Sequence, residues 1–189
     1  MSSAALRRAS HRQLVLKPQD FAVLLKLFVQ QGLQGSYASL AKSMQLSAFE
    51  AHAAVQRLLV AGLVVERGYA SAQAIAVVRP ALKEFMLYGA PYAFPATLGE
   101  ITIGVPTAHG AAPLNQKVLF SGHMPPVWPD AEGDTRGQAL LPLYEKLPAA
   151  ARLDHDLYEL LALFDGLRIG QARERELARQ LIEAKLNDR

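Results

Sequence analysis

The chain has no cysteine in 189 residues, a single tryptophan, and aromatic residues at only 7% of the total. The first absence excludes disulfides and thiolate-held metal ions, and it fits a reducing compartment. Long hydrophobic runs are missing too. The longest is LLVAGLVV at 58–65, far short of the roughly 20 residues a membrane-spanning helix needs. The N-terminal MSSAALRRASHRQL is basic, with no apolar stretch behind it, so it lacks the make-up of a secretory signal. A cytoplasmic protein with no membrane partner is expected.

The patterns that carry chemistry are also missing. There is no phosphate-binding glycine loop and no H-E-x-x-H. The serines in GSYASL and SGHMPP lack the flanks of a nucleophile elbow. The five histidines, His11, His52, His109, His123 and His155, show no ligand spacing. His109 and His123 share a proline- and glycine-rich stretch and are the one pair that could meet around a metal. DAEGD, 130–134, begins like a calcium loop, but its glycine stands too early and Leu141 occupies the closing position. A solvated acidic turn is expected there. No enzymatic activity, cofactor or metal is expected.

What is present is a core and a charge asymmetry. Half the chain is apolar (51%) and a fifth is charged (20%), which argues for a folded protein. Residues 1–79 hold nine Lys and Arg against three acids; residues 80–189 hold eleven against fourteen. A basic first half suggests a module that meets a polyanion.

Along the chain, 1–16 reads as a basic arm with Arg7, Arg8 and Arg12. Pro18 suits a first helical turn, and Phe21, Leu24, Leu25 and Phe28 follow at helical spacing to about Gln31, with Gly32 as a stop. A short helix at 37–44 has Ser36 as its cap. Ser47 and Glu50 then form the S-x-x-E capping box that starts a helix at 48–61, closed by Gly62. LVVERGYASAQAIAVVR reads as two strands with a turn at 67–68, and Pro80 opens a helix stopped by Gly89.

The stretch 17–79 resembles the winged helix-turn-helix of the MarR-like bacterial regulators. The matching residues are Leu40 and Ala41, Leu46 and Ser47 at the turn, Val55, Arg57 and Leu58 on the third helix, and Gly62, Leu63 and Val64 at the start of the wing. Gln45 departs from the pattern, standing where a glycine is usual. If its backbone is left-handed, the cost is about 1–2 kcal/mol. Ala51 and Ala54 are smaller than the residues common there. Val55 and Leu58 lie within about sixty degrees of Ala51 and point inward with it.

The resemblance implies sequence-specific binding of double-stranded DNA by a transcriptional regulator that works as a homodimer. Phe49, Ala53, Gln56 and Val60, flanked by His52 and Arg57, would face the major groove. Gln56 suits adenine, Arg57 suits guanine or a phosphate, and Phe49 suits thymine methyls. Lys42, Arg67, Arg7, Arg8 and Arg12 would hold phosphates. The same shape would also serve as a protein-interaction platform with Phe49 and Val60 as contacts. Small bacterial winged-helix proteins with a C-terminal extension are sometimes antitoxins of nucleotidyltransferase-type toxins, so such a toxin is the alternative partner.

The second half is less patterned. Seven of the eleven prolines lie in 90–137, so 80–137 reads as a helix followed by extended segments with at most a small sheet. Tyr88, Tyr92 and Phe94 are expected in the core, or around an effector cavity. Residues 138–189 are expected to be helical and to end in a hairpin. Its leucine face, Leu157, Leu160, Leu161, Phe164 and Leu167, is a candidate for dimerisation or for packing on the chain's own first half. RERE, 173–176, reads as a solvated helix face. The expected class is mainly α with a small β component.

Overall fold

The computed structural model describes residues 13–33, 35–69, 72–117 and 124–188. The basic arm with Arg7, Arg8, His11 and Arg12 lies outside the described residues, as does His123.

The first helix, α1 (Pro18–Val29), starts at a proline, and the Lys17 N–H donates to the Asp20 carboxylate at 2.8 Å. Its stripe Phe21, Leu24, Leu25 and Phe28 is buried. The chain leaves through Gly32 (φ 109°), where a Cβ would come within 2.5 Å of the Ile75 carbonyl. Only glycine fits that conformation and that approach. Two helices follow, α2 (Tyr37–Ser43) and α3 (Ala48–Val60). Ser36 caps α2, accepting from the Ser39 N–H at 3.2 Å. Ser47 and Glu50 close the expected capping box on α3. Between them Gln45 takes the left-handed conformation, φ 54°.

Strands β1 (Val64–Tyr69) and β2 (Ala72–Val77) pair antiparallel from Val64↔Val77 to Tyr69↔Ala72. The expected turn at 67–68 is corrected: Arg67 and Gly68 are paired within β1, opposite Ala74 and Gln73. Helix α4 (Arg79–Glu84) does not stop at Gly89. It runs through a π-helical turn (Phe85–Gly89) into α5 (Ala90–Ala93). Gly89 keeps a right-handed backbone, φ −107°, so it lacks the left-handed geometry by which glycine ends a helix. Its missing Cβ makes room for the Phe85 ring, which would otherwise lie 2.8 Å away.

Three short strands then close on one another. The long strand β3 (Leu98–Pro106) pairs antiparallel with both β4 (Pro126–Pro129) and β5 (Thr135–Leu140), which pair parallel to each other. The ring is narrow enough that a Cβ on Gly133 would meet the Gly104 backbone at 2.2 Å. The expectation of helix from 138 is corrected: β5 runs to Leu140 and helix begins at α6 (Leu147–Arg152). The acidic turn at 130–134 connects β4 to β5, and Arg152 bridges its Asp130 and Glu132.

The terminal hairpin is α7 (His155–Ile169) and α8 (Ala172–Asn187). The leucine face of α7 is not a surface. Every residue of 160–167 is buried, and the helix threads the chain's own core. Phe164 packs on Phe21 of α1, with ring centroids 4.6 Å apart. One hydrophobic cluster therefore crosses both expected domain boundaries, after 79 and after 137. Phe94 is in it as expected, whereas Tyr88 and Tyr92 are exposed. The class is mainly α with small sheets. Among the described residues no helix is long and apolar enough to cross a membrane.

Two ionic contacts tie the layers together. Asp165, 2% exposed, accepts from the Thr107 hydroxyl and the Trp128 indole N–H, each at 2.7 Å, and pairs with Arg168 at 2.5 Å. This network fastens the strand ring to α7. Asp154 caps α7 and pairs with Lys26 of α1 at 2.6 Å. Burial raises the Asp154 pKa, but hydrogen bonds from Lys26 and the Leu157 N–H outweigh it and leave the carboxyl below its ordinary 3.8.

A carboxyl depressed on folding stabilises the protein above its unfolded pKa, and that contribution fades as pH falls through the folded value. The stability gap between the wild type and Asp154→Asn is therefore expected to be constant above about pH 5 and to shrink below it. Urea midpoints measured across that range check this.

Candidate nucleic-acid interface

The capping box fixes where α3 begins, and so which of its sides faces out. Ala51, Ala54, Val55 and Leu58 are buried against α1 and α2. The two alanines add only a methyl group each to that contact, and Val55 and Leu58 supply the bulk. The outward face carries Phe49 (80% exposed) and Val60 (70%), with His52 and Gln56 exposed between them.

That face is partly organised from α2. The Tyr37 ring meets His52 edge-on, centroids 4.9 Å apart, and a hydrogen bond joins the Tyr37 hydroxyl to the Gln56 side chain. Burial is the main cause of the raised Tyr37 pKa, the Glu66 charge adds to it, and the Gln56 bond works against it. Glu66 thus brings a negative charge to this side of the hairpin. Tyr37 and Glu66 were not among the expected site residues. Tyr37 sits at the first position of a short helix, where periodicity says nothing about its neighbours.

Arg57 is not available to read a base. Its Nε and Nη2 donate to the two carboxylate oxygens of Asp20, both at 2.6 Å. Asp20 is fully buried. Hydrogen bonding to Asp20 holds the guanidinium pKa above its ordinary value, against the opposing effect of burial. Asp20 also takes the Lys17 N–H, so one carboxylate caps α1 and anchors α3. The sequence pointer was present: Asp20 is one of only three acids in 1–79 and lies on the apolar side of its helix.

Arg67 is exposed on β1. Strand alternation puts Val64 and Glu66 on one side and Val65 and Arg67 on the other. Arg67 lines a cleft with Phe28, Val65 and Arg79, on the hairpin side away from Glu66. Lys42 is exposed on α2. Of the nine residues expected to meet DNA, α3 presents Phe49, His52 and Gln56 together, Lys42 is exposed on α2 and Arg67 on β1, Arg57 is paired with Asp20, and three lie outside the described residues.

No family model, no curated protein and no solved structure matches the chain. The functional reading rests on the arrangement of these side chains. Among the described residues no group of three His, Cys, Asp or Glu is placed to hold a metal ion. His109 instead faces Glu174, 3.7 Å away.

Proposed function

We propose that residues 17–79 form a winged helix-turn-helix of the MarR-like type, and that the outward face of α3 binds double-stranded DNA in a sequence-dependent way. The protein would act as a cytoplasmic transcriptional regulator, not as an enzyme. The observation that carries this reading is the exposed row Phe49, His52, Gln56 and Val60 on a helix held rigidly from behind by its capping box and by the Asp20–Arg57 pair. Phe49 and Val60 stay exposed at the row's two ends, and Tyr37 holds His52 and Gln56 between them. Its chemistry suits base edges: an amide for adenine, apolar groups for thymine methyls.

A homodimer reading two half-sites belongs to this proposal. It has to use a surface other than the α7 leucines. The outer side of β3 exposes Leu98, Ile101 and Ile103, brought to one side by the register shift between Leu98 and Ile101.

A second reading is favoured by one specific feature. The outward face of α3 carries no cation, and Glu66 adds an anion near it. Phe49 and Val60 would then be contacts for a protein partner, such as the nucleotidyltransferase-type toxin of an antitoxin pair.

Selection from a pool of random duplexes separates the two. The wild type is expected to enrich a motif. The His52→Ala/Gln56→Ala variant should still bind but lose preference at the contacted positions, by about 1–3 kcal/mol each. Replacing Arg7, Arg8 and Arg12 should weaken binding to all sequences alike. An unchanged motif in the α3 variant would remove that helix as the reader, and no retained duplex at all would favour the protein platform.

A further inference from the structure

The segment joining β5 to α6, residues 141–146, reaches back onto the first half of the chain. The Tyr144 hydroxyl donates to the Met44 carbonyl at 2.8 Å. Met44 ends α2, and the next residue is the left-handed Gln45. The contact therefore braces the strained turn that sets the direction of α3. Burial raises the Tyr144 pKa, which keeps the hydroxyl protonated and able to donate.

Two residues further on, Lys146 is exposed. It stands close enough to the first turn of α3 that its charge acts, with that of Lys17, on the Glu50 carboxylate. Glu50 is already turned back onto Ser47, taking its N–H at 2.8 Å and its hydroxyl at 2.7 Å. Neither Lys17 nor Lys146 is in a salt bridge among the described residues. Glu145 is the one acid on the segment. The neighbourhood matters because the outward side of α3 has no cation of its own once Arg57 is paired. A duplex on that face must be gripped from the flanks, since most protein–DNA hydrogen bonds go to phosphate and sugar.

We infer that residues 141–146 are the second half's part of the nucleic-acid surface. Tyr144 positions the segment on the turn before α3, and Lys146, together with Lys17, holds a phosphate of the duplex backbone beside the first turn of that helix. The inference rests on the DNA-binding reading of α3. It adds a contact that lies outside the 17–79 unit, so that unit alone would bind less tightly than the full chain.

The test uses the full chain and a fluorescein-labelled random-sequence duplex, with binding followed by anisotropy between about 50 and 200 mM salt. Lys146→Ala should weaken binding to every sequence and make the slope of log affinity on log salt shallower by about one. Lys146→Glu should lose more. Tyr144→Phe, which keeps the lysine but frees the segment, should move the slope part of the way. Lys117→Ala, the same charge change after the short helical turn that packs on α8, should leave the slope as it was.

Wild-type affinity and slope in both Lys146 variants, with the wild type binding well, would overturn this inference alone. A wild type that binds no duplex at the lowest salt would overturn the DNA reading and this inference with it.

Discussion

Replacing Asp165 by alanine is expected to destabilise the chain by about 5 kcal/mol, which is all or a large part of the stability of an ordinary domain. The carboxylate is 2% exposed and holds three partners at once. Removing it strands the Arg168 guanidinium, whose side chain is 3% exposed. Among the described residues that charge keeps the Phe94 carbonyl at 3.2 Å and the face of the Phe164 ring. Breaking a buried pair from one side costs about 3–5 kcal/mol, and leaving the Trp128 and Thr107 donors without an acceptor adds about 1–3 kcal/mol each.

Asp165→Asn should fall between the two, because the amide oxygen can still accept from the indole while the charge is lost. Trp128 is the chain's only tryptophan, so its emission reports directly on this network. Asp165→Ala should shift that emission toward the red and broaden or abolish the cooperative unfolding transition. A cooperative transition within about 1 kcal/mol of the wild type would show that the network is dispensable.

The second large effect is expected at the base of α3. Asp20→Ala should lower stability by about 3 kcal/mol, at the lower end for a buried pair because Arg57 keeps some access to solvent. Arg57→Ala should cost at least as much, since among the described residues it leaves a carboxylate of 0% exposure with the Lys17 N–H alone. Arg57→Lys keeps the charge but loses the two-pronged geometry, and should land between.

An apolar exchange of both partners, Asp20→Leu with Arg57→Met, should recover much of the loss, because neither charge is then buried alone. A double-mutant cycle by urea unfolding measures this coupling. If the single variants were each within about 0.5 kcal/mol of the wild type, the pair would be an incidental contact. The same variants bear on function. A folded Arg57→Lys protein should keep whatever sequence preference the wild type has, because Arg57 faces the core and not the groove.

The first half was legible because its signals are local. Pro18, the Ser36 cap, the Ser47–Glu50 box and the glycines at 32 and 62 each act over a few residues, and each does in the structure what its chemistry prescribes. Burial of Phe21, Leu24, Ala51 and Val55 follows from helical spacing in the same way.

The misreadings share a cause. Arg57 pairs with a residue 37 positions away, and no local pattern says which of several acids an arginine will find. The side to which Arg67 turns depends on hairpin register, and a turn expected at 67–68 does not foresee that both residues are paired within β1. The leucines of α7 look like one stripe because Asp165 and Gly166 interrupt the other side. The structure buries those two as well, the aspartate by giving it partners from the strand ring. Tyr144 reaches the end of α2, just before the turn into α3, across about a hundred residues of chain, a juxtaposition that only the folded molecule contains.

The outward face of α3 is proposed to lie on a duplex. Amide chemical-shift mapping of the labelled protein with a short duplex at low salt tests it most directly. The largest changes are expected at Phe49, His52, Ala53 and Gln56, with smaller ones at Lys42, Lys17 and Lys146, all reversing as salt is raised. Changes confined to other surfaces, or none at any duplex concentration, would contradict it.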